Sequence, residues 1–111
     1  MDIRLKTFGD EVSARLDFLR EDLGCAGPMV EHPGDVYPAV VRVHYRRHDL
    51  AVEVLLVLTY AGEEYVATRL SLGGSALRER EIGSHTARTG YAMRRALDLQ
   101  TDALRGALRD A

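Results

Sequence analysis

"VRVHYRRHDLAVEV", Val41 to Val54, sets two alternating apolar runs on either side of a short basic segment. Valine, tyrosine and leucine at every second position are the signature of a half-buried strand. The break between the runs, with arginine, histidine and aspartate, reads as a hairpin turn. The parity of that turn decides which residues share a face. An even loop places Val41 opposite Val54, Val43 opposite Val52 and Tyr45 opposite Leu50, and sets Arg42 opposite Glu53 and His44 opposite Ala51. An odd loop would put Glu53 against Val43, so the even loop is expected.

The next run continues the pattern. Strands are expected over 39–46, 50–60 and 64–72, the last two joined by Ala61-Gly62-Glu63. Gly62 is available for the positive φ such a turn asks for. This loop pairs Leu58 with Val66, Leu56 with Thr68 and Val54 with Leu70. One face of the sheet is then apolar throughout. The other is mixed, with Arg42, His44, Arg46 and Arg69 around Val40, Leu55, Val57 and Tyr65.

Helices flank the strands. In "DEVSARLDFLREDL", 10–23, Val12, Leu16, Leu19 and Leu23 form one stripe, which Phe8 and Leu5 extend if the helix begins earlier. Asp10 is the expected cap and Gly24 the expected stop. A second helix is expected from about 86 or 90 to 109, with Met93, Leu97, Gln100, Leu104 and Leu108 inward. Its outer side carries arginines and aspartates that suggest a ladder of ion pairs. Residues 24–38 hold three glycines and all three prolines and read as a long loop. "GGSALREREIGSHT", 73–86, is ambiguous. Ser75 is placed to cap a short helix, and the charged stretch after it reads as a solvated face. The expected fold is α+β and two-layered, in the order α-β-β-β-α. A three-stranded antiparallel meander packs against two helices, in one domain spanning 1–111.

Composition limits the functions open to such a domain. The net charge is −2 and the pI about 6.1, which argues against a general nucleic-acid binder. All but one of the 15 basic residues are arginine, a residue suited to interfaces. A single cysteine excludes an internal disulfide and a thiolate zinc cluster. No apolar stretch is long enough to span a bilayer, and no secretory leader is evident, so a cytoplasmic location without membrane attachment is expected.

No chemistry-bearing motif stands out. His44 and His48 have helical spacing on a hairpin, which does not gather the three ligands a catalytic zinc needs. Cys25 sits just past a helix C-terminus, where the dipole disfavours a thiolate. "LGGSALR" lacks the spacing of a phosphate loop. No metal and no cofactor are expected. The leading reading is a non-catalytic module that binds a protein partner, or a second copy of itself, through the mixed sheet face. An inhibitory, toxin-neutralising role would fit. Its contact residues would be Arg42, His44, Arg46, Leu55, Val57, Tyr65 and Arg69. The alternative is a small-ligand site or minor enzyme at the 24–38 loop, built from Cys25, His32, Asp35 and Tyr37, with His85 from the other connection.

Overall fold

A computed structural model describes residues 2–32, 38–59, 62–73 and 78–110. Helix α1 spans Ile3–Glu21. Strands follow at Ala26–Glu31 (β1), Ala39–Arg47 (β2), Leu50–Leu58 (β3), Glu64–Leu72 (β4) and Arg78–Thr86 (β5), and helix α2 spans Gly90–Arg109. All five strands pair antiparallel with their chain neighbours, giving the order β1-β2-β3-β4-β5. The two-layer α+β arrangement is as expected, but the sheet has five strands rather than three.

Both additional strands are edges, and their composition explains why no alternation betrays them. β1, "AGPMVE", lies within the stretch read as a loop. It contains Gly27 and Pro28 and is bulged between Ala26 and Met29. Proline is tolerated in a sheet at edges and bulges, where one N–H has no strand to meet. β5, "REREIGSHT", lies in the ambiguous stretch and carries four charges in its first four residues. Ile82 is the extra residue of a bulge opposite Thr68 and Arg69, and it is the apolar β5 side chain that packs against the core. A strand held mainly by backbone hydrogen bonds to one neighbour needs no apolar period.

The central hairpins keep the expected faces but not the expected register. The β2–β3 turn is the two residues His48-Asp49, so Val43 meets Val54, Val41 meets Leu56 and Tyr45 meets Val52. The β3–β4 ladder ends at Leu58↔Glu64, and Leu56 meets Val66. Both pairings differ from expectation by two residues. A two-residue slip leaves every side chain on its own side of the sheet, so alternation alone cannot distinguish the two registers.

An odd number of antiparallel strands returns α2 running in the same direction as α1. Three cross-helix contacts confirm it: Arg94 to Glu11 at 3.8 Å, Arg15 to Asp98 at 2.7 Å, and the Arg105 guanidinium 4.0 Å above the Phe18 ring. Arg94 and Asp98 thus pair across to α1 rather than along a ladder on α2. α1 lies over β1, β2 and β3, and α2 over β4 and β5. Phe8, Val12 and Leu19 from α1 meet Met93 and Leu104 from α2 over Val43, Val52 and Val66, all with no exposed surface. Each such side chain contributes roughly 1.5–3 kcal/mol by leaving water.

α1 starts earlier than Asp10. Its cap is Asp2, whose carboxylate accepts from the Arg4 backbone N–H at 2.9 Å. Gly9, inside the helix, hid this continuation in the sequence. Arg4 is 6% exposed. Its guanidinium donates to the Ala87 carbonyl at 2.8 Å and reaches Asp2 at 2.6 Å and Glu64 at 3.2 Å, joining α1, β4 and the approach to α2. At the other end Gly24, with φ 71°, turns the chain, and the Cys25 N–H donates to the Leu19 carbonyl at 2.9 Å. α2 is capped by Thr89, whose hydroxyl accepts from Ala92 N–H.

Candidate functional site

Both helices cover one face of the sheet, and the cross-strand register lays out the other in rows. One row runs Met29, His44, Glu53, Arg69, Glu81. The next runs Glu31, Arg42, Leu55, Ala67, Ser84. Beyond it lie Val40, Val57, Tyr65 and Thr86. All seven residues expected to meet a partner, Arg42, His44, Arg46, Leu55, Val57, Tyr65 and Arg69, therefore share this face, on three adjacent strands.

Charge on the face is organised around Glu53. Its two carboxylate oxygens lie 3.7 Å from Arg42 and 3.9 Å from Arg69. Because of the changed register, Arg42 reaches Glu53 diagonally rather than from directly opposite. These pairs are partly exposed and are each worth only about 0–1 kcal/mol, so they orient the guanidiniums more than they stabilise the fold. His44 Nε2 is buried 3.5 Å from Glu31 Oε1. Arg46 makes no ion pair among the described residues and is exposed. It borders a polar hollow of about 160 Å³ that Glu53, Arg69, Ser71 and Glu79 also line.

The apolar centre is smaller than the sequence suggests. Leu55 is 5% exposed and Ala67 3%, though neither belongs to the core under the helices. Val40, Val57 and Tyr65 are half-buried, and the most exposed large apolar side chain on this face is Met29 of β1, at 61%. Met29 was missed because its segment read as a loop. Leu55 is therefore a small second core rather than a surface contact.

The described residues of the alternative ligand site, Cys25, His32 and His85, do not come together. Cys25 is 3% exposed within the main core, and burial pushes its thiol up from the usual range. His32 follows β1 and His85 lies on β5, at opposite edges of the sheet. Four strand spacings separate those edges, roughly 19 Å. Asp35 and Tyr37 lie outside the described residues, as does Ser75.

His85 has a different setting. It points to the helix side, where the Gln100 amide donates to its Nδ1 at 2.8 Å and to the Val66 carbonyl at 2.8 Å, while Thr68 donates to the Gln100 carbonyl oxygen at 2.7 Å. The Val66 carbonyl can only accept, which fixes the amide orientation and makes Nδ1 of His85 an acceptor. Gln100 and Thr68 are buried and thus fully engaged. Among the described residues no three histidine, cysteine or acidic side chains cluster to hold a metal ion. No described helix is long and apolar enough to cross a membrane.

No protein-family model matches the chain, and no match was found among curated proteins or solved structures.

Proposed function

We propose that this chain is a non-catalytic protein-binding module that engages its partner through the open face of the sheet. The observation that carries this reading is the one-sided placement of the helices. They leave Met29, Val40, Val57 and Tyr65 framed by Arg42, Arg46 and Arg69, with no described element over them. An apolar centre with tyrosine and arginine at its margin is the composition of binding hot spots.

The sheet edges support face-on rather than edge-on docking. β5 carries Arg78, Glu79, Arg80 and Glu81, and β1 carries Pro28; each is bulged. Such devices oppose the addition of another strand. The partner is then a second copy of this chain or a foreign protein, and an inhibitory role such as toxin neutralisation is one form that binding would take.

The test is solution mass against concentration by light scattering, for the wild type and for Tyr65→Glu combined with Arg46→Glu. Concentration-dependent association abolished by the double variant, with the far-UV spectrum unchanged, supports self-recognition. A wild type that stays monomeric sends the test to captured partners, with the same double variant as control. Association or capture that survives the double variant counts against this face.

A further inference from the structure

The parallel helices end together at the β2–β3 turn, and no described element closes the core there. Two hollows meet at this end. One, of about 560 Å³, lies between Leu23, Leu50, Leu72 and Leu108, with Arg47 and Arg78 at its margin. The other, of about 270 Å³, lies between Phe18, Leu23 and Leu108, with Arg105 and Arg109 at its margin. Leu23 and Leu108 belong to both and form a rib between them. The leucines other than Leu50, and Phe18, are only partly buried.

The charges around this groove are unequal. Arg47 is committed: it donates to the Leu23 carbonyl at 2.7 Å and to Asp49 at 2.6 Å. Arg78 and Arg109 make no ion pair among the described residues, and Arg105 stacks on Phe18 without a carboxylate. Against the four arginines stand Asp22 and Asp49. Each hollow therefore joins an apolar floor to at least one uncompensated guanidinium.

We propose that this groove binds an acidic peptide segment that seats two apolar side chains, one in each hollow, and sets carboxylates against Arg78 and Arg109. The rib is what selects a peptide over a single acyl chain. A fatty carboxylate has one continuous tail and one charge, whereas the groove is divided and has cations at both ends. Amphipathic peptides with spaced apolar anchors recognise grooves of this kind. The site is separate from the open sheet face.

The experiment selects peptides from a random phage-displayed library on the full chain, then measures a fluorescein-labelled selected peptide by anisotropy. The peptides are expected to carry two aliphatic or aromatic anchors among aspartates and glutamates. Affinity should fall at least about tenfold for Arg78→Glu combined with Arg109→Glu, fall with added salt, and be unchanged by Arg46→Glu on the open face. Amide shifts on binding should centre on Leu23 and Leu108. Failure to enrich acidic peptides, affinity untouched by the double reversal, or shifts confined to the open face would overturn the proposal. So would oleate binding at Leu108 where no acidic peptide binds. Because Arg46 and Tyr65 serve one surface and Arg78 and Arg109 the other, the two proposals fail independently.

Discussion

Gln100, at the middle of α2, spans the helix–sheet interface to donate its amide to the Val66 carbonyl of β4 at 2.8 Å, while Thr68, two residues along the same strand, donates to its carbonyl oxygen at 2.7 Å. Both side chains are buried, so each depends on the other for satisfaction. Gln100→Ala is expected to cost about 1–3 kcal/mol, since a buried donor and acceptor lose their partner. Gln100→Leu with Thr68→Val should cost less than the sum of the single changes. Urea unfolding of the four proteins gives the coupling energy, and strict additivity would refute the link.

Leu55 faces away from the helices yet is only 5% exposed. Leu55→Asp is therefore expected to destabilise the fold by about 2 kcal/mol or more, by placing a charge in a dry site. Tyr65→Glu, at a half-buried position, should cost distinctly less. Thermal melts of the two variants check this, and equal melting temperatures would contradict the burial of Leu55.

Three glycines predict opposite outcomes for the same substitution. A Cβ on Gly27, whose φ is 126°, would stand 2.8 Å from the His44 carbonyl oxygen. Gly27→Ala should cost about 1–3 kcal/mol and loosen β1. Gly9 and Gly106 lie inside helices; a Cβ on Gly9 would make ordinary contact with Val30 at 3.7 Å, and one on Gly106 meets open space. Alanine at either should stabilise by roughly 0.4–1 kcal/mol. Urea midpoints report all three.

Stability should fall on both sides of neutrality, for different residues. Burial pushes the Tyr45 hydroxyl up, outweighing the nearby Ser13 hydroxyl, and burial pushes the Cys25 thiol up as well. Above their ordinary values the unfolded chain has lost these protons while the native chain retains them, so stability declines as pH rises. Tyr45→Phe should flatten part of that alkaline decline. The Arg47 hydrogen bond holds the Asp49 carboxyl below its usual range. That contribution is complete above an unfolded value of roughly 3.9 and fades as pH drops through the native one. Asp49→Asn should soften the acid limb of urea midpoint against pH.

Arg4 is the clearest case of a residue whose importance the chain order conceals. Its partners Asp2, Glu64 and Ala87 come from three separate parts of the sequence. Arg4→Met is expected to lower stability by about 1–3 kcal/mol, because Glu64 and the Ala87 carbonyl each lose a charge-assisted donor. Amide exchange should quicken at Ala87, which itself donates to the Glu64 carbonyl at 2.8 Å. Unaltered exchange there would show that the guanidinium does not hold this corner.

Patterns local to the chain were legible because their cause is local. Alternation in 39–72 sorted Val43, Val54 and Val66 from Arg42, Glu53 and Tyr65, since successive side chains on a strand must point to opposite sides. The stripe Leu5, Phe8, Val12, Leu16, Leu19 announced α1 in the same way, and Gly24 its end. Register, edge strands and depth were decided only by the assembled fold. Slips of two residues bury the same set of side chains, so turn geometry chose between them. β1 and β5 take their shape from backbone pairing with β2 and β4, which demands little of their side chains. Leu55 was expected to face solvent because its strand has an outer side, but whether an outward residue stays dry depends on what its cross-strand neighbours cover, and that requires all five strands in place.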